Sequence, residues 1–526
     1  MSTTDPAGPT APRPDAVGWR AGALVFATSG AVLTLEIIAG RLMAPYVGVS
    51  IETFTGIIGT VLAGIAVGAA IGGWLADRHD PRLLIGPLLV IGGALCWLSL
   101  PIVRVLGPEV GKGPVAIVIL TACSFLAPVT VVSAVSPMVA KLRLERLEDT
   151  GTVVGGLSAA GTAGALAATF LTGFVLVAAL PSRPVVWLVG ATLIVMGVVL
   201  AWRLGRRRPT TIEVAVVALV GVGSALVAPV CDFETAYFCV RIETDPQRPN
   251  GRSLYLDDLR HAYVDLDDPT VLESRYVRLF ADVLADAADG PLTALHIGGG
   301  GFTFPRYVTA VRPGSEHVVL EIDDELPRIA RAELGLSDSD GLDIRIGDAR
   351  LAIDDLPEDR FDLVVGDAFA SPAVPWHLTT SEFIADIDRV LRPDGLYIMN
   401  VIDGGDDRFA RAEIATLMEH FVHVSVIQPP EQAPTSAIGA ANIVLVASDR
   451  ALAGADVDPA DGTWIDGTQV ERYVDDARIL TDDFAPVDQL IAHVAFDLGA
   501  IDPGAVGRVD VGLGECPVRG NEHDVG

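Results

Sequence analysis

A multi-span α-helical membrane bundle followed by an α/β, doubly wound parallel sheet is the fold class this sequence predicts, and three observations predict it. Seven apolar runs crowd the first 230 residues, strand-like and helix-like segments alternate after residue 290, and the charge balance changes between the two regions. At 526 residues, half of them hydrophobic, and with a mean hydropathy of +0.45, the chain is too long for one core and too apolar for an ordinary soluble protein. Residues 1–240 hold 13 acidic and 15 basic side chains, whereas 241–526 hold 54 and 22. So acidic a second half argues against nucleic acid as a partner, because phosphate backbones are bound by Lys and Arg. It suits a cationic partner or, equally, a solvated acidic surface.

The runs near 22–44, 53–75, 83–106, 114–140, 152–179, 184–203 and 211–230 each approach the ~20 helical residues that cross a hydrocarbon core. They predict a transmembrane domain over 21–230 with about seven helices, multi-pass in the cell membrane. The polar segment 1–20 lacks a signal-peptide pattern, so the first run is expected to stay as a helix. Glycine and alanine are dense in GIIGTVLAGIAVGAAIGG (56–73), as close helix packing in membranes requires. Arg78 and Arg82 lie in the 2–3 loop, KLRLER (141–146) in the 4–5 loop and RLGRRR (203–208) in the 6–7 loop, while PYVGVSIE (45–52) has no base. The positive-inside rule then places the N-terminus in the cytoplasm, and seven spans deliver the acidic half outside. Cys231 and Cys239 follow the last run, either as a disulfide of an oxidising compartment or as two thiols.

Gly73, Asp77, Arg78 and Arg82 form a G-x3-D-R-x3-R pattern that resembles the 2–3 loop motif of the major facilitator superfamily. It predicts a tight helix end at Gly73 and Asp77 beside the next helix terminus. Glu36 lies inside the first run with Arg41 five residues on. An intramembrane carboxylate is a candidate for transport, and a structural pair with Arg41 is the blander expectation.

Residues 252–266 alternate like a hairpin and 270–287 read as an amphipathic helix. LTALHI (292–297), HVVLEI (317–322), DIRI (343–346), FDLVV (361–365) and LYIMNVI (396–402) are strands separated by helical stretches, and 421–428 and 441–448 close the sheet with an antiparallel edge. This alternation predicts a Rossmann-like sheet, whose ligands bind at the carboxyl ends of the strands. Gly298, Gly299, Gly300 and Gly301 follow the first of these strands, Glu321 and Asp323 the second, Asp348 and Ala349 the third, and Asp367 the fourth. Glu321, 23 positions beyond Gly298, suits the two hydroxyls of a ribose. Thr303 stands where a dinucleotide glycine motif needs Gly or Ala, so a single nucleoside is expected.

Taken together, LYLDDLRHAYVDLDDP (254–269), HIGGGG (296–301), VLEID (319–323), IGDAR (346–350), FDLVVGDAF (361–369) and LTTSEF (378–383) resemble the spermidine synthases, polyamine aminopropyltransferases with a class I methyltransferase-type fold. The architecture resembles bacterial proteins in which a membrane region is fused to such a domain, here over 241–500. The resemblance implies that Glu321 holds the ribose of decarboxylated S-adenosylmethionine and Asp348 its adenine amino group. It implies that Asp367 activates the attacking amine, and that Tyr276 and His261 line the substrate, His261 standing where glutamine is usual. A polyamine such as putrescine is the implied acceptor and methylthioadenosine the implied product. No metal is called for, and a homodimer is compatible.

Two departures bear on chemistry. The family's GGGDG loop has Gly301 where the acid for the aminopropyl ammonium belongs, and the D-x-x-D after the fourth strand has Ala370 in place of its second acid. Each buried ammonium needs a partner, so methyl transfer from S-adenosylmethionine, nucleoside or polyamine sensing without turnover, and a transporter-linked domain stay open beside aminopropyl transfer. Residues 479–491 are expected to pack back on the sheet, and 503–526 to be a disordered tail.

Overall fold

A computed structural model describes residues 16–111, 113–144, 150–203, 211–285, 289–369, 373–430, 440–452 and 454–491. The segment 1–15, Ala370, the greater part of the 6–7 loop and the tail from 503, all subjects of expectations above, lie outside the described residues.

Among the described residues six helices are long and apolar enough to cross a membrane: α1 (Ala16–Val47), α2 (Ile51–Arg78), α3 (Pro81–Leu106), α4 (Pro114–Arg143), α5 (Thr150–Ala179) and α6 (Ser182–Arg203). The seventh run forms a shorter helix, α7 (Thr211–Leu226), whose 16 residues span about 24 Å at about 1.5 Å each, less than a hydrocarbon core. Pro229 ends it early, because the residue before a proline avoids helical backbone. Small residues let the helices touch: a Cβ on Gly164 of α5 would lie 2.1 Å from the Phe26 carbonyl oxygen of α1, a contact only glycine permits.

The 2–3 loop differs from expectation. Gly73 lies inside α2, which continues to Arg78. Asp80 caps α3, accepting a hydrogen bond from the Arg82 amide at 3.0 Å, and Asp77 pairs with Lys141 at the end of α4. The reason is local: Asp80 precedes Pro81, which has no N–H and a helical φ and so favours the first helical position, leaving Asp80 as the N-cap. Arg41 likewise does not pair with Glu36. Five residues separate them, about 140° around a helix, whereas neighbours on one face are three or four apart. Arg41 instead reaches out of the bundle to Glu234 at 3.3 Å and to the carbonyls of Thr235 and, at 2.7 Å, Ala236. The Ser182 amide and hydroxyl at the start of α6 also donate to Glu234, the amide at 2.9 Å. The soluble half therefore docks on the end of the bundle that holds the carboxyl end of α1 and the start of α6. Arg78, Lys141 and Arg143 lie at the opposite end.

Beyond the bundle, β1 (Phe233–Glu234), β2 (Cys239–Thr244), β3 (Gly251–Leu256) and β4 (Leu259–Asp265) form an antiparallel sheet. A disulfide joins Cys231 to Cys239 around the β1–β2 turn. β2 crosses residue 241, the expected start of the soluble domain. The amphipathic helix α8 (Arg275–Ala285) follows, with Val277, Phe280, Val283 and Leu284 buried.

The large sheet contains β5 (Thr293–Ile297), β6 (Glu316–Glu321), β7 (Leu342–Ile346), β8 (Phe361–Gly366), β9 (Leu391–Gly404), β10 (His423–Gln428), β11 (Ala440–Ser448) and β12 (Thr463–Ile465) in the order β12-β10-β11-β9-β8-β5-β6-β7. Strands β5 to β9 pair in parallel, and β10, β11 and β12 add antiparallel partners. Ala294, Leu295, His296 and Ile297 of β5 are all buried, so both faces of the central strand are covered, and His296 is its one buried polar residue, paired with His317 at 3.1 Å. Chain order reverses between β5 and β8, the topological switch point where doubly wound sheets open a crevice. Val487 and Ile491 pack into the core, as expected for 479–491.

Candidate functional site

The expected residues converge on that crevice. The β5 loop is held by the Gly298 amide, which donates to the Leu320 carbonyl at 2.9 Å, and the Asp367 amide donates to Ile297 at the same distance. Gly298 has a φ of +93°, and a Cβ there would lie 2.5 Å from the Asp367 carbonyl oxygen. Glycine thus lets two strand ends meet with Glu321 beside them. The Glu321 carboxylate accepts hydrogen bonds from the Gly299 amide at 2.8 Å and from the Asp323 amide at 2.9 Å. Burial pushes its pKa up, and these amides pull it back. Asp323, expected at the nucleoside, is fully buried, and its oxygens accept from the Thr235 hydroxyl and the Glu325 amide. It braces the corner. Asp348 caps the turn containing Ala349 through the Arg350 amide at 2.8 Å, and its other oxygen lies 3.3 Å from His377 Nε2.

Asp367 closes β8 as part of a network. Its Oδ1 accepts from Asn400 Nδ2 at 3.0 Å and its Oδ2 from the Tyr276 hydroxyl at 3.2 Å. The Asn442 amide donates to Asn400 Oδ1 at 3.0 Å. Burial raises the Asp367 pKa to about 6, the two hydrogen bonds opposing the rise. The Tyr276 hydroxyl also lies 3.2 Å from the His261 carbonyl oxygen. The His261 ring packs edge-on to Phe369, and burial lowers its pKa to about 4, so it is neutral near pH 7. A carboxylate poised near neutrality and fixed on both oxygens can orient an amine and take its proton.

Gly301 is more constrained than a missing acid suggests: a Cβ there would lie 2.6 Å from the Ala262 Cβ. No side chain fits without moving β4. Sequence reasoning missed Asn400 and Asn442, although a lone amide in each of the apolar runs LYIMNVI and ANIVLVAS was a usable signal. It also missed Thr235 and Tyr237. The phenol of Tyr237 is held above its usual pKa by burial and then by the charges of Asp323, Asp348, Asp324 and Glu321.

No protein-family model matches the chain. The polyamine aminopropyltransferase of Chromobacterium violaceum is 30% identical over 162 residues, 30% of this chain and 61% of that protein. The polyamine aminopropyltransferase of Vibrio vulnificus is 25% identical over 212 residues, 38% and 70% of the two chains. A probable spermidine synthase from Corynebacterium glutamicum is similar at 28% identity and a TM-score of 0.45, over 49% of this chain and 99% of that one. The chain thus spans about three fifths of the first of these curated relatives.

Proposed function

We propose that this chain, whose C-terminal half is homologous to the polyamine aminopropyltransferases, transfers an aminopropyl group from decarboxylated S-adenosylmethionine to an amine. The observation that carries the reading is the Asp367 carboxylate, held on its two oxygens by Tyr276 and Asn400 at the end of β8 beside the glycine corner. In this reading Glu321 and the Gly298–Gly301 corner hold the ribose, Asp348 and Ala349 meet the adenine, and Tyr276 and His261 line the acceptor. Asp367 receives the acceptor as an ammonium ion and takes its proton. The freed nitrogen lone pair attacks the carbon next to the sulfonium. That carbon–sulfur bond breaks, and its electron pair stays on sulfur as neutral methylthioadenosine leaves. A polyamine such as putrescine is the acceptor class.

The same reading puts the chain in the cell membrane with the catalytic domain outside. Its support is the docking of the domain on the end of the bundle remote from Arg78, Lys141 and Arg143, together with the Cys231–Cys239 disulfide. Methyl transfer is a second reading, favoured by the Gly301–Ala262 contact, which leaves no acid to meet the aminopropyl ammonium. The full chain in micelles, given either donor and a series of amines, separates the two. Release of methylthioadenosine with a diamine supports the first, and release of S-adenosylhomocysteine alone overturns it.

A further inference from the structure

Where the soluble half meets the bundle there is a cavity of about 450 Å³, lined by Tyr46 of α1, Leu100 and Arg104 of α3, Arg183 and Trp187 of α6, and Val230. It is separate from the crevice at the strand ends. We infer that it binds the phosphate headgroup of one anionic phospholipid, with Arg104 as the charged donor to phosphate.

Charge supports this first. Arg41 and Glu234, both in the lining, pair with each other. The Asp232 carboxylate accepts from the Ile242 amide at 2.8 Å. Arg183 donates through one terminal nitrogen to the Ser224 and Val227 carbonyls, which leaves its charge and its other N–H groups. Arg104 has no hydrogen-bond or ion-pair partner among the described residues. Three cations and two anions leave one positive charge, the complement of a single phosphodiester.

Position supports it next. The lining comes from the carboxyl ends of α1 and α3 and the start of α6, the level where tyrosine, tryptophan and arginine meet lipid headgroups. Val105 and Leu226 nearby are 66% and 80% exposed, apolar surface suited to acyl chains. Free phosphate would leave the Leu42, Leu100 and Val103 walls without an apolar partner. The inference is independent of the proposed catalytic reading.

The test uses the full chain in micelles, stripped of lipid and then offered phosphatidylglycerol, phosphatidylcholine or inorganic phosphate, with retained mass read by native mass spectrometry. One phosphatidylglycerol per chain is expected, with retention about tenfold weaker in Arg104→Ala, the loss of one charge-assisted hydrogen bond. If that variant does not fold, Ala228→Trp decides, because it fills the cavity and leaves every arginine in place. It too is expected to lose the lipid. Equal retention of phosphatidylcholine, full occupancy by inorganic phosphate alone, or variants that keep phosphatidylglycerol as the wild type does would each overturn the inference.

Discussion

Replacing Asp367 by asparagine separates the catalytic role proposed for it from its effect on stability, because a charge that serves the proposed chemistry should weaken the fold. Burial raises this carboxyl from 3.8 to about 6, so at about 1.4 kcal/mol per pH unit its ionisation costs the folded state about 3 kcal/mol more than the unfolded one. The sign follows from linkage: a raised folded-state pKa gives stabilisation that is full below 3.8 and lost as pH rises through 6. Asparagine stays neutral. It can still accept from Asn400, and its amide can donate to the Tyr276 hydroxyl, which retains the His261 carbonyl as an acceptor 3.2 Å away. At pH 8 the variant should therefore melt up to ~5–10 °C higher than wild type, with the difference gone near pH 4. Its turnover should fall by about 10²–10⁴ while methylthioadenosine binding persists. Melting of the full chain in micelles at several pH values, beside turnover and calorimetry, reads all three. No gain in stability between pH 4 and pH 8, or turnover within tenfold of wild type, would refute this account of Asp367.

Two further outcomes are expected. Gly301→Asp, which restores the family acid, should lower stability by about 1–3 kcal/mol through overpacking against Ala262, and Ala262→Gly in the same chain should recover most of it; unchanged melting of the single variant would refute the contact. In intact cells, Cys231 and Cys239 should resist an impermeant thiol reagent until an impermeant reductant is added, and then both should label. Labelling that requires opening the cells, even after reduction, would place the domain inside.

β6, β8 and β9 were legible because each holds an apolar run covered on both faces, and the crevice was legible because its acids stand where the parallel strands stop. Hidden features depend on meetings the sequence does not display. Arg41 and Glu234 are 193 residues apart, so a local reading gave Arg41 to Glu36. Ala262 lies on a strand of the other sheet, so Gly301 read as a missing charge when it is also a missing volume. β1 is two residues long, and its place depends on the disulfide and on Thr235. α7 read as a full span because 211–230 is apolar throughout, although Pro229 ends the helix first.

The ring closed by Cys231 and Cys239 places consecutive residues in different service. Glu234 is held by Arg41 and Ser182 of the bundle, and Thr235 by Asp323 next to the glycine corner. One peptide bond, about 3.8 Å between Cα atoms, is all that separates the two anchor points, and the disulfide denies the turn the slack to absorb displacement. A change in tilt of α1 against α6, as between bilayers of different thickness, would act through these contacts on Asp323 and on Glu321, whose carboxylate accepts the Asp323 amide. On the proposed function, donor affinity should then depend on the membrane as well as on the crevice, and should differ between thin and thick bilayers for the intact chain.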